Sequence, residues 1–357
     1  MQMLRALSDP SLDEILSEVS RSFYLSLAIL PSEVRTQLSA AYLVARAADT
    51  IADTRVVRAE RREELLGDLR GALSDEKRAA RLARDLRAEL VGADPGAAQA
   101  EERLLYRFGE CMASLGRQDA ADGARTRRVL DSLITGMERD LARFPDEDQL
   151  RAVQSMEELE EHTYLAAGCV GEYWTEITAA HMPVVAHLGA PDLIARGVHL
   201  GKALQLVNVI RDAPADLAAG RCYLPLPLLE RHGLAPQDLI GPRRTLARPV
   251  LDELRLLALD HVDAAWPYVL AIPASAPRLR LACVWPLWIG LFTLARIAEA
   301  DDPLDPAVRI KVPRTDIYKL IAESIAVVSI NPLLSRTHWH HRANAAKRAL
   351  PRGHALD

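Results

Sequence analysis

Between Gly201 and Pro225 the chain reads GKALQLVNVIRDAPADLAAGRCYLP, a helical pattern that is apolar around most of its circumference yet carries one polar file. Gln205, Asn208, Arg211, Asp212 and Asp216 recur at steps of three and four, which puts them on one face of a helix. Leu204, Val207 and Ile210 fall on the neighbouring faces, where a surface helix would pack into a core. A fold that contains this segment must therefore turn polar groups toward something inside the protein. Buried amides, guanidinium and carboxylates are costly without partners, so the file points to a ligand. Asp212 and Asp216, one turn apart, suit a hard cation such as Mg²⁺, which takes oxygen ligands and draws on substrate phosphates to complete its shell. The competing reading is a solvated acidic face at a helix end. The chain has 49 acidic residues, and Glu157 and Glu161 share the spacing without evident chemistry, so one pair does not decide.

A second stretch, Tyr42-Leu-Val-Ala-Arg46-Ala-Ala-Asp49-Thr-Ile-Ala-Asp53, repeats the arrangement, with an arginine one turn before the first carboxylate. Like-charged carboxylates on a buried face repel and need cations. Two such pairs, from helices far apart in sequence, are expected to face each other across a cavity and hold Mg²⁺ ions. That arrangement binds a diphosphate and neutralises the charge that develops as it leaves.

Helical periodicity runs through nearly the whole chain, and strand-like alternation is absent. Helices are expected to begin after Ser11, Ser32 and Ser155, with Glu14 and Glu158 completing capping boxes at the first and last, and to cover 97–116, 122–143, 191–213, 247–268, 278–299 and 315–329. Pro214 should kink or end the helix that carries the polar file. The 357 residues are 49% hydrophobic and 26% charged, with ample core for one large or two smaller domains. No linker divides them, so one all-α domain with helices around a central cavity is expected over 1–335, followed by a basic, disordered tail at 336–357. A net charge of −5 argues against a nucleic-acid partner. The four cysteines are far apart and suit reduced thiols. The first residues lack the apolar core of a signal peptide, and no run of 18 apolar residues marks a membrane span. A cytoplasmic protein, monomer or weak dimer, is expected, with peripheral contact at the inner face of the membrane through Arg336, Arg342, Lys347, Arg348 and Arg352 of the tail. His338, His340 and His341 belong to that tail rather than to a metal site, and Trp285 and Trp288 to the core.

Several short motifs together resemble the squalene/phytoene synthases, which condense two prenyl diphosphates head to head. Ser20-Arg21-Ser22-Phe23 is similar to an early motif of the family, and Tyr42 through Asp53 to its first aspartate-rich motif. Leu133-Ile134-Thr135-Gly136-Met137 with Asp140-Leu141 resembles its flap region. Ala167-Gly168-Cys169-Val170-Gly171 resembles its AGxVG element. Gln205 through Asp216, then Gly220-Arg221 and Leu224-Pro225, is similar to its second aspartate motif. Cys283-Val-Trp-Pro286 and Val308-Arg309-Ile310-Lys311 resemble later segments of the squalene-synthase branch.

The resemblance implies an isoprenoid-synthase fold and a set of roles. Asp49, Asp53, Asp212 and Asp216 would ligate Mg²⁺. Arg21, Arg46, Arg211 and Arg221 would hold phosphate oxygens, a task that suits the planar guanidinium. Ser20, Ser22, Phe23, Val170, Gln205 and Asn208 would complete the walls. Two farnesyl diphosphates would combine through presqualene diphosphate, and hydride from NADPH would then give squalene. No glycine-rich dinucleotide fingerprint is present, so the cofactor positions, Arg309, Lys311 and Asn208, rest on the resemblance alone. Tyr42 would face the passing cation, in a cavity that must exclude water. His162 stands where many members have a tyrosine, with Tyr164 half a turn on. His162 would take the proton released on cyclopropane closure; the alternative is a surface or capping histidine. Ala52 and Ala215 stand where the family usually carries further acids. Synthases that stop at presqualene diphosphate, or make phytoene or dehydrosqualene, are the alternatives within the class, and a non-catalytic helical scaffold is the alternative outside it.

Overall fold

The computed structural model describes residues 10–20, 23–54, 56–90, 99–145 and 149–347, with the backbone alone for Pro10, Ser11 and Phe23. Arg21 and Ser22 of the early motif, and residues 348–357, lie outside the described residues. The helices are α1 (Pro10–Val19), α2 (Phe23–Ile29), α3 (Ser32–Asp53), α4 (Ala59–Ala72) and α5 (Glu76–Leu90). They continue with α6 (Ala100–Tyr106), α7 (Phe108–Gly116), α8 (Ala120–Arg143), α9 (Met156–Thr163), α10 (Cys169–His181) and α11 (Pro191–Ala218). The last five are α12 (Leu226–Arg231), α13 (Arg248–Ala271), α14 (Pro277–Glu299), α15 (Arg314–Val327) and α16 (Asn331–Ala346). The all-α expectation holds, apart from two two-residue strands, β1 (Arg151–Ala152) and β2 (Arg221–Cys222), paired in parallel with Arg151 opposite Arg221. Strands this short leave no periodic trace.

The chain falls into two compact units, Met1–Pro145 with Gly168–Gly197, and Asp146–Ala167 with Val198–Asp357. In the first, α3 is the central helix and packs on α7, α8 and α10. Its Val34, Leu43, Val44, Ala47 and Ile51 are fully buried, while Tyr42, Arg46 and Asp49 stay half-buried along another side. Ser32 does not cap this helix. The N-cap is Pro31, and the Ser32 hydroxyl donates instead to the Glu33 carboxylate at 3.0 Å. At Ser155 the N-cap half of the expected box forms, with Glu158 N–H donating to Ser155 Oγ at 3.2 Å, while the Glu158 carboxylate takes Gln154 N–H, one residue before the cap, at 2.8 Å. In the first unit Gly197 comes so close to α10 that a Cβ there would sit 2.4 Å from Thr175 Oγ1 and 2.9 Å from Gly171 O. Gly171 of the AGxVG element thus belongs to a tight helix crossing.

In the second unit α14 packs on α13, α15 and α16. By length and composition α14 is the one described helix that qualifies to cross a membrane, and most of it is buried. Buried Arg280, in α14, donates to the carbonyls of Ile272 (2.6 Å), Val328 (2.8 Å) and Leu270 (3.2 Å). It thereby satisfies carbonyls near the C-terminal ends of α13 and α15.

Two expectations are corrected here. Pro214 does not end its helix: α11 continues through it to Ala218. Burial of Ala213 and Leu217 on either side offsets the loss of one backbone bond. Residues 336–346 are not a disordered tail but the greater part of α16, anchored by fully buried His338 and by buried His341 and Leu334. The basic residues hid an apolar stripe spaced at three and four.

Candidate functional site

In the first unit the acidic file sits at the C-terminal half of α3. Arg46 reaches forward to the Asp49 carboxylate and donates through its other nitrogen to Glu101 of α6 at 2.9 Å. Burial works to lower the Arg46 pKa, but Asp49 and Glu101 outweigh it and the shift is upward. Asp53 is exposed at the helix end. The flap residues lie on α8, where Arg70 of α4 binds Thr135 (3.2 Å), Glu138 (2.5 Å) and Asp131 (3.0 Å). Val170 is half-buried in α10. Ser20 is buried with its hydroxyl donating to Leu16 O, so it closes its own helix end rather than presenting itself to a substrate.

In the second unit the polar file of α11 is half-buried at Gln205, Asn208, Arg211, Asp212 and Asp216, while Val207 and Ile210 are buried. Val207 packs against Gly290 of α14, 3.5 Å from where its Cβ would be. Arg211 binds Asp212 through Nε (2.7 Å) and Nη2 (2.5 Å). That bond raises the guanidinium pKa against the opposing effect of burial. Asp212 and Asp216 lie in one unbroken helix. Gly220, in the left-handed region at φ 75°, then turns the chain into β2 and places Arg221 there.

His162 is buried at the end of α9. Gln205 Nε2 donates to its Nε2 at 3.2 Å, and Asn208 Nδ2 donates to Gln205 Oε1 at 3.3 Å. The Tyr223 ring lies against it, centroids 4.3 Å apart. The polar file therefore reaches His162, and a surface position for that residue is excluded. Tyr164 opens a π-helical turn, Tyr164–Gly168; such turns recur at functional sites. Lys202 Nζ sits 5.8 Å from the Tyr164 ring centroid and pairs with Glu160. The Glu160 carboxyl is pulled down to about 2, first by the His261 imidazole 3.7 Å away and then by Lys202, against the effect of burial. His261 in turn meets His199, nitrogen to nitrogen at 2.7 Å.

Carboxylate oxygens repeated one turn apart beside arginines fit Mg²⁺ as a donor set on both α3 and α11. Elsewhere in the first unit Asp119, Asp122 and His181 bring three donor atoms within 4.8 Å of one another. There Asp119 caps α8, and Asp122 is engaged by Arg125 at 3.0 Å and His181 at 2.5 Å, so the group closes a helix end. Arg309 and Lys311 are exposed in the irregular segment before α15. The thiols of Cys169 and Cys222 are pushed up to about 12 by burial, which rules them out as nucleophiles.

Glu101, Glu160, Lys202, His261 and Tyr223 were absent from the sequence expectation. Lys202, three residues before Gln205 on α11, continues the polar file and could have been found by that spacing; the capping box at Ser155 marked only the neighbourhood of Glu160.

A sequence profile described as squalene/phytoene synthase matches residues 16–316. A phytoene synthase of Cereibacter sphaeroides is 29% identical over 273 residues, covering 76% of this chain and 65% of that protein. A presqualene diphosphate synthase of Zymomonas mobilis is 28% identical over 282 residues, covering 74% of this chain and 77% of that one. The chain spans 42% of a bifunctional lycopene cyclase/phytoene synthase of Colletotrichum graminicola, at 28% identity over 73% of this chain. Among solved structures, TcSQS with the ligand BPH1237 superposes with a TM-score of 0.75 at 21% identity, covering 98% of this chain and 94% of that one. A dehydrosqualene synthase with ligand gives 0.61 at 20% identity, covering 89% and 95%. These two likenesses establish the fold.

Proposed function

Because the chain belongs to the squalene/phytoene synthase family, we propose that it is a prenyltransferase that condenses two prenyl diphosphates, farnesyl diphosphate by preference, head to head. The observation that carries this reading is the repeated unit of an arginine bound to the first of two carboxylates one helical turn apart, on α3 and again on α11. A structural role for one such unit is ordinary; nothing in the packing of either helix requires both.

In this reading Asp49, Asp53, Asp212 and Asp216 hold Mg²⁺, which supplies charge neutralisation for the departing diphosphate. Arg46 and Arg211 release their carboxylate partners to take phosphate oxygens, and Arg221 adds a third guanidinium. Tyr42 and Val170 in the first unit, and Leu204 and Ala166 in the second, supply apolar surface for allylic chains that must be kept from water. His162 accepts the proton lost on ring closure at Nε2, once the Gln205 amide N–H that occupies that lone pair moves off it, and the Tyr223 ring packs beside it. Tyr164 is the second candidate for that transfer.

Reduction by NADPH to squalene is the further step that the squalene-synthase resemblance implies. A synthase that ends at presqualene diphosphate is the second reading, favoured by the Zymomonas mobilis relative and by the exposed setting of Arg309 and Lys311. Incubation with farnesyl diphosphate and Mg²⁺, with and without NADPH, separates the two. Squalene that appears only with NADPH supports the fuller reaction. Presqualene diphosphate in both tubes supports the shorter one, and no condensation product from any prenyl diphosphate refutes both and leaves a non-catalytic scaffold.

A further inference from the structure

Helices α15 and α16 pack against α14 and against each other through Leu320, Ser324, Leu334 and His338, which are buried. Their outward sides are not the polar surface that such helices usually show. Tyr318 (66% exposed), Ile325 (56%), Ile330 (49%), Leu333 (43%) and Trp339 (46%) all stand in solvent. Along α15, Tyr318, Ala322 and Ile325 follow steps of four and three, so they share one face. Along α16, Leu333, Arg336 and His340 do the same, with Trp339 beside them.

The charge on this face is one-sided. Between Val308 and Lys347 the sequence has seven lysines and arginines against two acids, Asp316 and Glu323. Both acids are engaged, Asp316 by Arg296 at 2.8 Å and Glu323 by His341 at 3.0 Å. Arg342 is held by Asp263 at 2.7 Å. Lys319 and Arg336 are exposed and carry no ion pair among the described residues.

We propose that the outer face of α15 and α16 docks on an anionic lipid bilayer, with Tyr318, Ile325, Leu333 and Trp339 entering the interface and Lys319 and Arg336 on the headgroups. A large aromatic ring with a polar edge and aliphatic side chains flanked by cations is the composition that lies in a membrane interface, and the uncompensated positive charge selects a negatively charged surface. The surface is separate from the residues assigned above to prenyl transfer, so the inference stands or falls independently of that activity.

Of the five tryptophans, Trp339 alone is exposed; the other four are at most 9% exposed. Tryptophan emission therefore reports this face directly. The full chain is mixed with vesicles of one part phosphatidylglycerol to two parts phosphatidylcholine, and with phosphatidylcholine alone. Cosedimentation, a blue shift of emission and quenching by brominated acyl chains are expected with the anionic vesicles only. Trp339→Phe should abolish the spectral change while most binding remains. Lys319→Glu with Arg336→Glu should weaken binding by roughly thirtyfold or more, and Ile325→Ser with Leu333→Ser should remove it, each without lowering the melting temperature. Three results would overturn the inference: no anionic-vesicle binding, binding that leaves Trp339 unquenched, or a wild-type dimer in sedimentation velocity that Ile325→Ser dissociates, which would assign the face to a second copy.

Discussion

Replacing Gly197 with alanine tests whether the close approach of α10 to the start of α11 is a real constraint. In an unobstructed helix the change should stabilise, because alanine is favoured over glycine by about 1 kcal/mol. Here the added Cβ would lie 2.4 Å from Thr175 Oγ1 and 2.9 Å from Gly171 O. Thr175 is fully buried and its hydroxyl is bound to Gly171 O at 2.8 Å, so the side chain has nowhere to turn. The second obstacle is backbone and cannot rotate away. Forcing a methyl into such a space costs about 3 kcal/mol, the upper part of the overpacking range. Subtracting the helix gain leaves about 2 kcal/mol of destabilisation, which corresponds to a drop of roughly 3 °C in melting temperature for a chain of 357 residues. Differential scanning calorimetry of Gly197→Ala measures it. Gly67→Ala is the control, since nothing lies within 4 Å of a Cβ there and the change should stabilise. Thr175→Ala in the Gly197→Ala background should recover only part of the loss, because Gly171 O remains. If Gly197→Ala matched Gly67→Ala in sign, the close approach would be wrong and the glycine of the AGxVG element would need another explanation.

Asp49→Asn and Asp212→Asn should each reduce condensation at least a hundredfold at saturating Mg²⁺, with melting temperature unchanged or raised as carboxylate repulsion falls; full activity in either variant contradicts the assignment. His162→Phe should lower turnover by about a hundredfold to ten-thousandfold while substrate binding persists, read from single-turnover rates beside equilibrium binding. Arg280→Met should destabilise the protein by about 3 kcal/mol or more, because three buried carbonyls lose their donor; a urea midpoint equal to wild type would show that water replaces the guanidinium. The Glu160 carboxyl titrates at about 2 in the folded chain against an ordinary 4.5. A depressed acid stabilises the fold above its unfolded pKa and loses that stability as the pH falls toward the folded value. The advantage of wild type over Glu160→Gln, about 1 kcal/mol after allowance for its half-exposed side chain, should thus be complete at pH 6 and shrink between pH 4.5 and 2. A difference that stayed constant across that range would detach Glu160 from Lys202 and His261.

The amino-acid sequence alone was enough to place most of the helices and the two aspartate pairs upon them, because both depend on spacings within one turn. Steps of three and four put Asp49 after Arg46, and Asp216 after Asp212, whatever surrounds them. What it left undecided depended on distant partners. Pro214 argued for a helix end, and buried neighbours carried the helix past it. The basic composition after Pro332 argued for disorder, and His338 and His341, packed beside Trp266 and Trp288, made it a helix. The Ser20 hydroxyl looked available to a substrate and is spent on Leu16 O. His162 was ambiguous between capping and chemistry until Gln205, 43 residues away, was seen to donate to it. Glu101, Tyr223 and His261 entered only through the tertiary structure. A backbone pattern is decided by neighbours along the chain, whereas the partner of a polar side chain is decided by whatever group the fold brings within 3 Å or so of it.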